Sequence, residues 1–307
     1  MRIAAVDIGS NSTRLLVADV RDGRVEELFR RSTVTRLGDG VDSSGRLAAD
    51  SCERVHEALA GYSRELKAAG CERVGGIATS AVRDAANGAE FAAQILRRHG
   101  IAIDVIDGTR EAELTFAGVA TGSAFADGAR TLVVDIGGGS TEFIVGEQGE
   151  LRFNTSTNLG AVRHSERFLH RDPPTKSELQ SLTEESTALL EQAIPAQWRG
   201  GVVRAVAVAG TPTVLAAVDQ ALEPFDPWKV HDYAITRSAC DALLDRLAAL
   251  PLAERREVVG LHPDRAPTIV AGAAILQVAM EVFALDQVVV SERDLLYGIA
   301  LALSAKS

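Results

Sequence analysis

One segment of this chain is written twice, as VDIGSNSTRLLV at Val6–Val17 and as VDIGGGSTEFIV at Val134–Val145. Val, Asp, Ile, Gly, Ser, Thr and the closing Val recur at the same spacing. The differences are Ser10/Gly138, Asn11/Gly139, Arg14/Glu142 and conservative apolar exchanges. A single short repeat can be coincidence, so the test is whether the flanking sequence repeats as well.

It does. In the first half RIAAVDI and STRLLVADV are strand-like apolar runs, Asp22-Gly23 is a hairpin turn, and RVEELFR is a third strand. From Asp50 onward, Val55, Leu59, Tyr62 and Leu66 recur at helical spacing, with Asp50 or Ser51 as the expected N-cap. A strand at RVGGIATS, a helix over AEFAAQILRRHG, a strand at IAIDVI and a helix from about Arg110 to Thr121 follow. The second half opens with TLVVDI, STEFIVGE and, after a turn near Gly149, LRFNTST. A helix over Thr175 to Gln192, a strand at VRAVAVAG, helical segments through Met280, a strand at QVVVS and a helix to Ala302 complete it. The chain is therefore α/β, with two domains that share a βββαβαβα plan.

The 307 residues suffice for two cores, and no low-complexity linker separates them. Asp7 interrupts the apolar start too early for a signal peptide, and no apolar run approaches membrane-spanning length, so a cytoplasmic protein with no membrane partner is expected. Cys52, Cys71 and Cys240 are odd in number and lack metal-site spacing, which makes them buried small hydrophobes. The formal charge of −10 opposes indiscriminate binding to nucleic acid. An anionic ligand must be held by a local device.

The repeated motif is such a device. A strand ending in Asp, followed by Gly and small residues and then a second strand, exposes backbone N–H groups that can form an anion nest. Asp7 and Asp135 stand at its edge, and carboxylates beside phosphate call for a hard cation such as Mg²⁺. One copy alone would read as a glycine hairpin with a surface acid. Two copies in a duplicated plan read as a clamp for phosphoryl groups.

These residues resemble the actin, hexokinase and Hsp70 ATPase superfamily, and within it the exopolyphosphatase and guanosine pentaphosphate phosphohydrolase family. The resemblance runs through seven ordered blocks: the two motifs, ATSAVRDAAN at Ala78–Asn87, DGTREAEL at Asp107–Leu114, VAGTPTVLAA at Val208–Ala217, HPDRAPTIVAGAAIL at His262–Leu276, and VSERDLLYG at Val290–Gly298. It implies two RNase H-like domains with the active site in the cleft between them. Domain I would span 1–126, domain II 127–291, and a C-terminal helix at about 292–307 would pack back on domain I.

The resemblance carries the catalytic glutamate onto Glu111, as general base for the attacking water, and makes Glu142 an acid close to the reacting centre. Asp7 and Asp135 become the metal carboxylates, with Mg²⁺, or Mn²⁺ in its place, as cofactor. Ser10, Asn11, Ser12, Arg14, Arg83, Asn87, Gly137, Gly138, Gly139, Ser140 and Thr141 are assigned to the substrate phosphates, together with Gly210, Thr211 and Arg265. Pro212 follows Gly210 and Thr211 where many kinase relatives have a second glycine, and its missing N–H weakens a nucleotide contact. In VSERDLLYG, Asp294 and Leu296 depart from a glycine-leucine-arginine-glutamate run and remove a basic contact.

The implied activity is hydrolysis of terminal phosphate from inorganic polyphosphate. Short chains are expected to be favoured, because longer members append helical domains that extend a channel. Guanosine pentaphosphate 5′-phosphohydrolase, with its tie to the stringent response, is the near alternative. A kinase of the same superfamily and a silent polyphosphate or alarmone sensor are more distant ones. A homodimer is left open.

Overall fold

The computed structural model describes residues 1–305; the last two residues of the helix expected at about 292–307 lie outside the described residues. The chain divides into two units, one of Met1–Ser123 with the chain from Arg293 onward, the other of Ala124–Glu292.

In the first unit, β1 (Arg2–Ile8), β2 (Ser12–Arg21) and β3 (Arg24–Val34) form an antiparallel meander, and β4 (Arg73–Ala78) and β5 (Ile103–Val105) continue it in parallel. The strand order is β3-β2-β1-β4-β5. In the second unit, β6 (Thr131–Ile136), β7 (Thr141–Glu147) and β8 (Glu150–Thr157) form the same meander. Strands β9 (Arg204–Val208), β10 (Ala234–Thr236) and β11 (Gln287–Val290) complete the order β10-β11-β9-β6-β7-β8. Each sheet is RNase H-like, as the duplicated pattern predicts. The short edge strand β10 is an addition that three residues could not announce.

Local chemistry explains the hairpins and some of the helix ends. Asp22 and Gly23 both have positive φ, as do Gln148 and Gly149, the geometry whose twist matches a two-residue hairpin. The helix Lys176–Ala193 begins with a capping box: Thr175 Oγ1 accepts from Glu178 N–H and the Glu178 carboxylate accepts from Thr175 N–H. The helix Ala49–Ala69 starts two to three residues earlier than expected, with Ala48 in place of Asp50 or Ser51 as N-cap and no side-chain cap bond among the described residues. Asp50 lies in its first turn, where a negative charge suits the helix dipole. Cys240 is buried among the second unit's core residues, and burial pushes its thiol up to about 12; Cys52 and Cys71 are only half-buried, contrary to the expectation for them. Among the described residues no helix is long and apolar enough to cross a membrane.

The first sheet is buried on both faces. Ala4, Val6, Ile8, Leu15 and Val17 face a cluster containing Val55, Leu59, Phe91 and Ile95 of helices Ala49–Ala69 and Gly88–His99. Ile3, Ala5, Leu16 and Ala18 face Leu114 of the helix Gly108–Val119 and Leu295, Leu296 and Ile299 of the C-terminal helix Leu295–Ala305. Burial of each of these larger side chains stabilises by about 1.5–3 kcal/mol. The two helices on the second face approach closely at paired glycines. A β-carbon at Gly118 would lie 1.9 Å from the Asp294 carbonyl oxygen, and one at Gly298 would lie 1.9 Å from the Leu114 carbonyl oxygen.

Those clashes involve backbone, so no rotamer change relieves them. Gly298→Ala is expected to destabilise the protein by at least about 1–3 kcal/mol, the usual cost of overpacking. Denaturant unfolding of the purified variant checks this, and an unchanged midpoint would show that the helices do not cross this tightly.

Candidate active site

Strand alternation sends successive side chains to opposite faces. Asp7 therefore shares the face of Ile3 and Ala5, the one covered by the Gly108–Val119 and C-terminal helices. It is 3% exposed. The register sets Arg14 directly across from it. Arg14 Nε donates to Asp7 Oδ2 at 2.8 Å and a terminal nitrogen reaches the same oxygen at 2.7 Å. The other terminal nitrogen donates to Asp294 Oδ2. Burial raises the Asp7 carboxyl above its ordinary range, and Arg14 opposes that shift. Asp7 Oδ1 is buried and has no hydrogen-bond partner among the described residues. The sequence reading placed Arg14 on substrate phosphate; the structure commits its guanidinium to two carboxylates.

The loops after β1 and β6 are built alike. Gly9 N–H closes onto the Ser12 carbonyl at 3.0 Å, and Gly137 N–H onto the Ser140 carbonyl at 3.0 Å. In the first loop the Ser10 carbonyl accepts from Gly38 N–H and the Asn11 carbonyl from Thr35 and Arg36 N–H. In the second, the Gly137 carbonyl accepts from Ala161 N–H, the Gly138 carbonyl from Val162 and Arg163 N–H, and the Gly139 carbonyl from Arg163 Nε at 2.8 Å. A planar trans peptide points its C=O and the following N–H in opposite directions. With the carbonyls turned into the protein, the amides of Gly138, Gly139 and Ser140 turn away from it, as does that of Asn11. Successive amides turned outward in this way are the geometry from which anion nests are built. Gly160 allows the close approach, since a β-carbon there would lie 2.3 Å from the Gly138 carbonyl oxygen.

Glu111 lies in the first turn of the Gly108–Val119 helix, whose N-cap Asp107 accepts from Arg110 N–H at 2.8 Å. It is 6% exposed, and Arg83 stands 3.5 Å from its Oε2 while donating to the Ile106 carbonyl at 3.1 Å. Two residues of separate blocks, Arg83 and Glu111, are thus brought together. Asn87 is not with them. Its Oδ1 accepts from Leu47 N–H at 2.8 Å and its Nδ2 donates to the Leu47 carbonyl at 3.1 Å, so both ends of the amide pin a loop instead of meeting phosphate.

In the second unit the register opposes Asp135 and Glu142, the counterparts of Asp7 and Arg14. They are 5% and 1% exposed, and Ser156 Oγ donates to Glu142 Oε1 at 2.7 Å. Like charges directly opposite on a strand pair repel. A cation or a proton in their neighbourhood offsets that cost. Thr141, read as a phosphate ligand, instead donates its buried hydroxyl to the Leu159 carbonyl at 2.7 Å. Thr211 is packed against Gly272 of the helix Ile269–Val282, where a β-carbon would meet its Oγ1 at 2.6 Å. Gly210 and Arg265 do meet: a β-carbon at Gly210 would lie 1.8 Å from a terminal nitrogen of Arg265. Just before them Ala209 has φ 72° and ψ −169°, a strained region otherwise used by glycine.

Sequence reasoning missed the helix Ala161–Phe168 that backs the second loop. Its Arg163 holds the Gly139 carbonyl, and its buried His164 accepts from Gly160 N–H through Nδ1 at 3.3 Å. Glycine-alanine after a strand was the available signal. Asp294 was also missed as a participant; an acid immediately before Leu295-Leu296 was a legible helix cap.

Among the described residues no three His, Cys, Asp or Glu side chains converge as a metal cage. The first unit offers a buried Asp7 oxygen with no hydrogen-bond partner among the described residues, and the second offers the opposed pair Asp135 and Glu142. Carboxylates of either kind fit Mg²⁺, which binds through one or two carboxylates together with substrate phosphate oxygens.

Paired anion loops on RNase H-like sheets, each backed by a buried acid, define a protein that handles phosphoryl groups. The chain belongs to the Ppx/GppA phosphatase family, whose sequence model matches residues 16–306. It is 37% identical over 316 aligned positions to exopolyphosphatase 2 of Mycobacterium tuberculosis, covering 99% of this chain and 98% of that protein. The crystal structure of the Aquifex aeolicus Ppx/GppA family member superposes with a TM-score of 0.81 at 32% identity, covering 100% of this chain and 98% of that one. An exopolyphosphatase structure from Cytophaga hutchinsonii gives 0.88 at 27% identity, with 97% and 96% covered.

The support under the second loop makes stability pH-dependent. Burial pushes His164 down to about 4. A His whose folded value lies below its unfolded value of about 6.5 contributes stability that is complete above that value and is lost as pH falls toward the folded one. Stability is expected to fall by about 3 kcal/mol between about pH 6.5 and 4 from this group. His164→Asn, which keeps an acceptor for Gly160, should flatten that part of the stability curve measured by urea unfolding.

Proposed function

We propose that this protein is an exopolyphosphatase, which removes the terminal phosphate of inorganic polyphosphate by attack of water. The observation that carries the reading is the doubled loop whose carbonyls are tied inward; the amides that follow them are read as the ligands of phosphoryl oxygens. The full-length similarity to a protein named exopolyphosphatase 2 supports polyphosphate as the substrate.

Within the first unit the functional groups are Glu111, Arg83 and the amides of the Ser10–Asn11 loop. Within the second they are the amides of Gly138, Gly139 and Ser140. Glu111 accepts a proton from the water whose oxygen forms the new bond to the terminal phosphorus, while the anhydride P–O bond breaks and the shortened chain keeps the bridging oxygen. Arg83, anchored on the Ile106 carbonyl, holds the Glu111 carboxylate in place. Asp7 in the first unit, and Asp135 with Glu142 in the second, are the residues that would hold Mg²⁺, or Mn²⁺ in its stead. The bound metal would neutralise phosphate oxygens that these carboxylates otherwise repel. Arg265, resting on Gly210, adds positive charge for the chain being shortened. The net charge of −10 repels a long polyanionic tail away from these groups over about 8 Å at physiological salt, which favours short chains. Three free cysteines suit the reducing cytoplasm.

Phosphate release from short polyphosphate, long polyphosphate, guanosine pentaphosphate and ATP is the direct test. Short polyphosphate should be hydrolysed with the highest efficiency per chain end; faster turnover of guanosine pentaphosphate would overturn the substrate assignment. Glu111→Gln keeps the shape and removes the proton acceptor, so kcat should drop by about 10²–10⁴ with little change in fold. Wild-type turnover in that variant would remove Glu111 from the mechanism. Excess chelator should abolish activity, and full activity in its presence would refute the cation requirement.

A further inference from the structure

Two donors of Arg14, Nε and one terminal nitrogen, converge on the same oxygen of Asp7, at 2.8 and 2.7 Å. A guanidinium facing a carboxylate ordinarily forms a fork, one donor to each oxygen. Here the remaining terminal nitrogen is drawn to Asp294 Oδ2, and Asp7 Oδ1 is left buried without a partner among the described residues. Asp294 is itself fixed. Its side chain is 4% exposed, its Oδ1 accepts from Leu296 N–H at 3.0 Å, and its carbonyl accepts from Tyr297 N–H at 3.0 Å at the start of the C-terminal helix. The glycine crossing at Gly118 holds the same backbone carbonyl. All three charged residues lie in the first unit.

We infer that Asp294 is a positioning residue for the phosphatase reaction: by holding the outer edge of Arg14 it prevents the guanidinium from forking both oxygens of Asp7, and so keeps Asp7 Oδ1 open to a divalent cation. The inference rests on the reading of Asp7 as a cation-holding residue. Without the Asp294 charge, the planar fork closes on Asp7 and caps both oxygens. The departure in the SERDLLYG block thus supplies an acid that works through Arg14.

Asp294→Asn keeps an oxygen to cap Leu296 N–H and removes the acceptor for Arg14; Asp294→Ser is a second variant that keeps the cap. Thermal unfolding identifies any variant that fails to fold. Wild type, Asp294→Asn, Asp294→Ser and Asp7→Asn are titrated with Mn²⁺ in the presence of orthophosphate, and bound metal is followed by loss of the free-ion EPR signal. Loss of a residue behind a metal ligand typically weakens affinity about 10- to 100-fold. Both Asp294 variants should show a loss of that size, with Asp7→Asn at least as weak, and KM and the Mg²⁺ requirement should shift more than kcat at saturating metal. In an Arg14→Met background, Asp294→Asn should have no further effect on Mn²⁺ affinity, because the competing fork is gone. Wild-type affinity in the folded Asp294 variants with weakened Asp7→Asn overturns the inference and leaves the reading of Asp7 standing. Wild-type affinity in Asp7→Asn as well overturns both. Equal loss on Asp294→Asn with and without Arg14 also overturns the inference, since Asp294 would then act by another route.

Discussion

A carboxylate buried at the end of a central strand is the constraint around which the first unit is organised. Asp7 is placed by strand parity on a face otherwise covered by Leu114, Leu295 and Leu296. An ion there is costly unless it is paired. The hairpin register provides Arg14 directly opposite, and the C-terminal helix provides Asp294 to share that cation. The tight crossing at Gly118 and Gly298 is what brings the last helix close enough to do so.

The second unit uses the same backbone with a different charge. Glu142 takes the register position of Arg14, so an acid faces an acid where the first unit has an acid facing a base. One duplicated hairpin has therefore become two electrically distinct hairpins, and like charges directly opposite on a strand pair carry a repulsion that the acid–base pair does not.

The anion loops depend less on side chains than the sequence suggests. Of the residues assigned to phosphate, Arg14, Asn87, Thr141 and Thr211 have side chains committed to carboxylates, loop backbone or neighbouring helices. The loop amides are aimed by carbonyls that are tied to the 35–38 segment in one unit and to the Ala161–Phe168 helix in the other. Gly160 and Gly38 serve these loops from a distance by admitting close backbone contact.

The duplication, the two meanders, the parallel strands that extend them and the family were all legible in the residues, because they follow from period-two and helical spacing and from ordered blocks of motif. The acids Asp7 and Asp135, singled out by the repeated motif, and Glu111 and Glu142, singled out by the family resemblance, are all buried in the structure. Strand β10, with three residues, and the helix Ala161–Phe168, with eight, were too short to stand out in the sequence. What each polar side chain actually touches was decided only by the tertiary structure: Asn87 looked like a ligand and pins Leu47, and Asp294 looked like the loss of a basic contact and holds Arg14. Spacing along a chain sets which face a residue occupies. Its partner comes from packing between segments as distant as residues 14 and 294, and no local pattern encodes that distance.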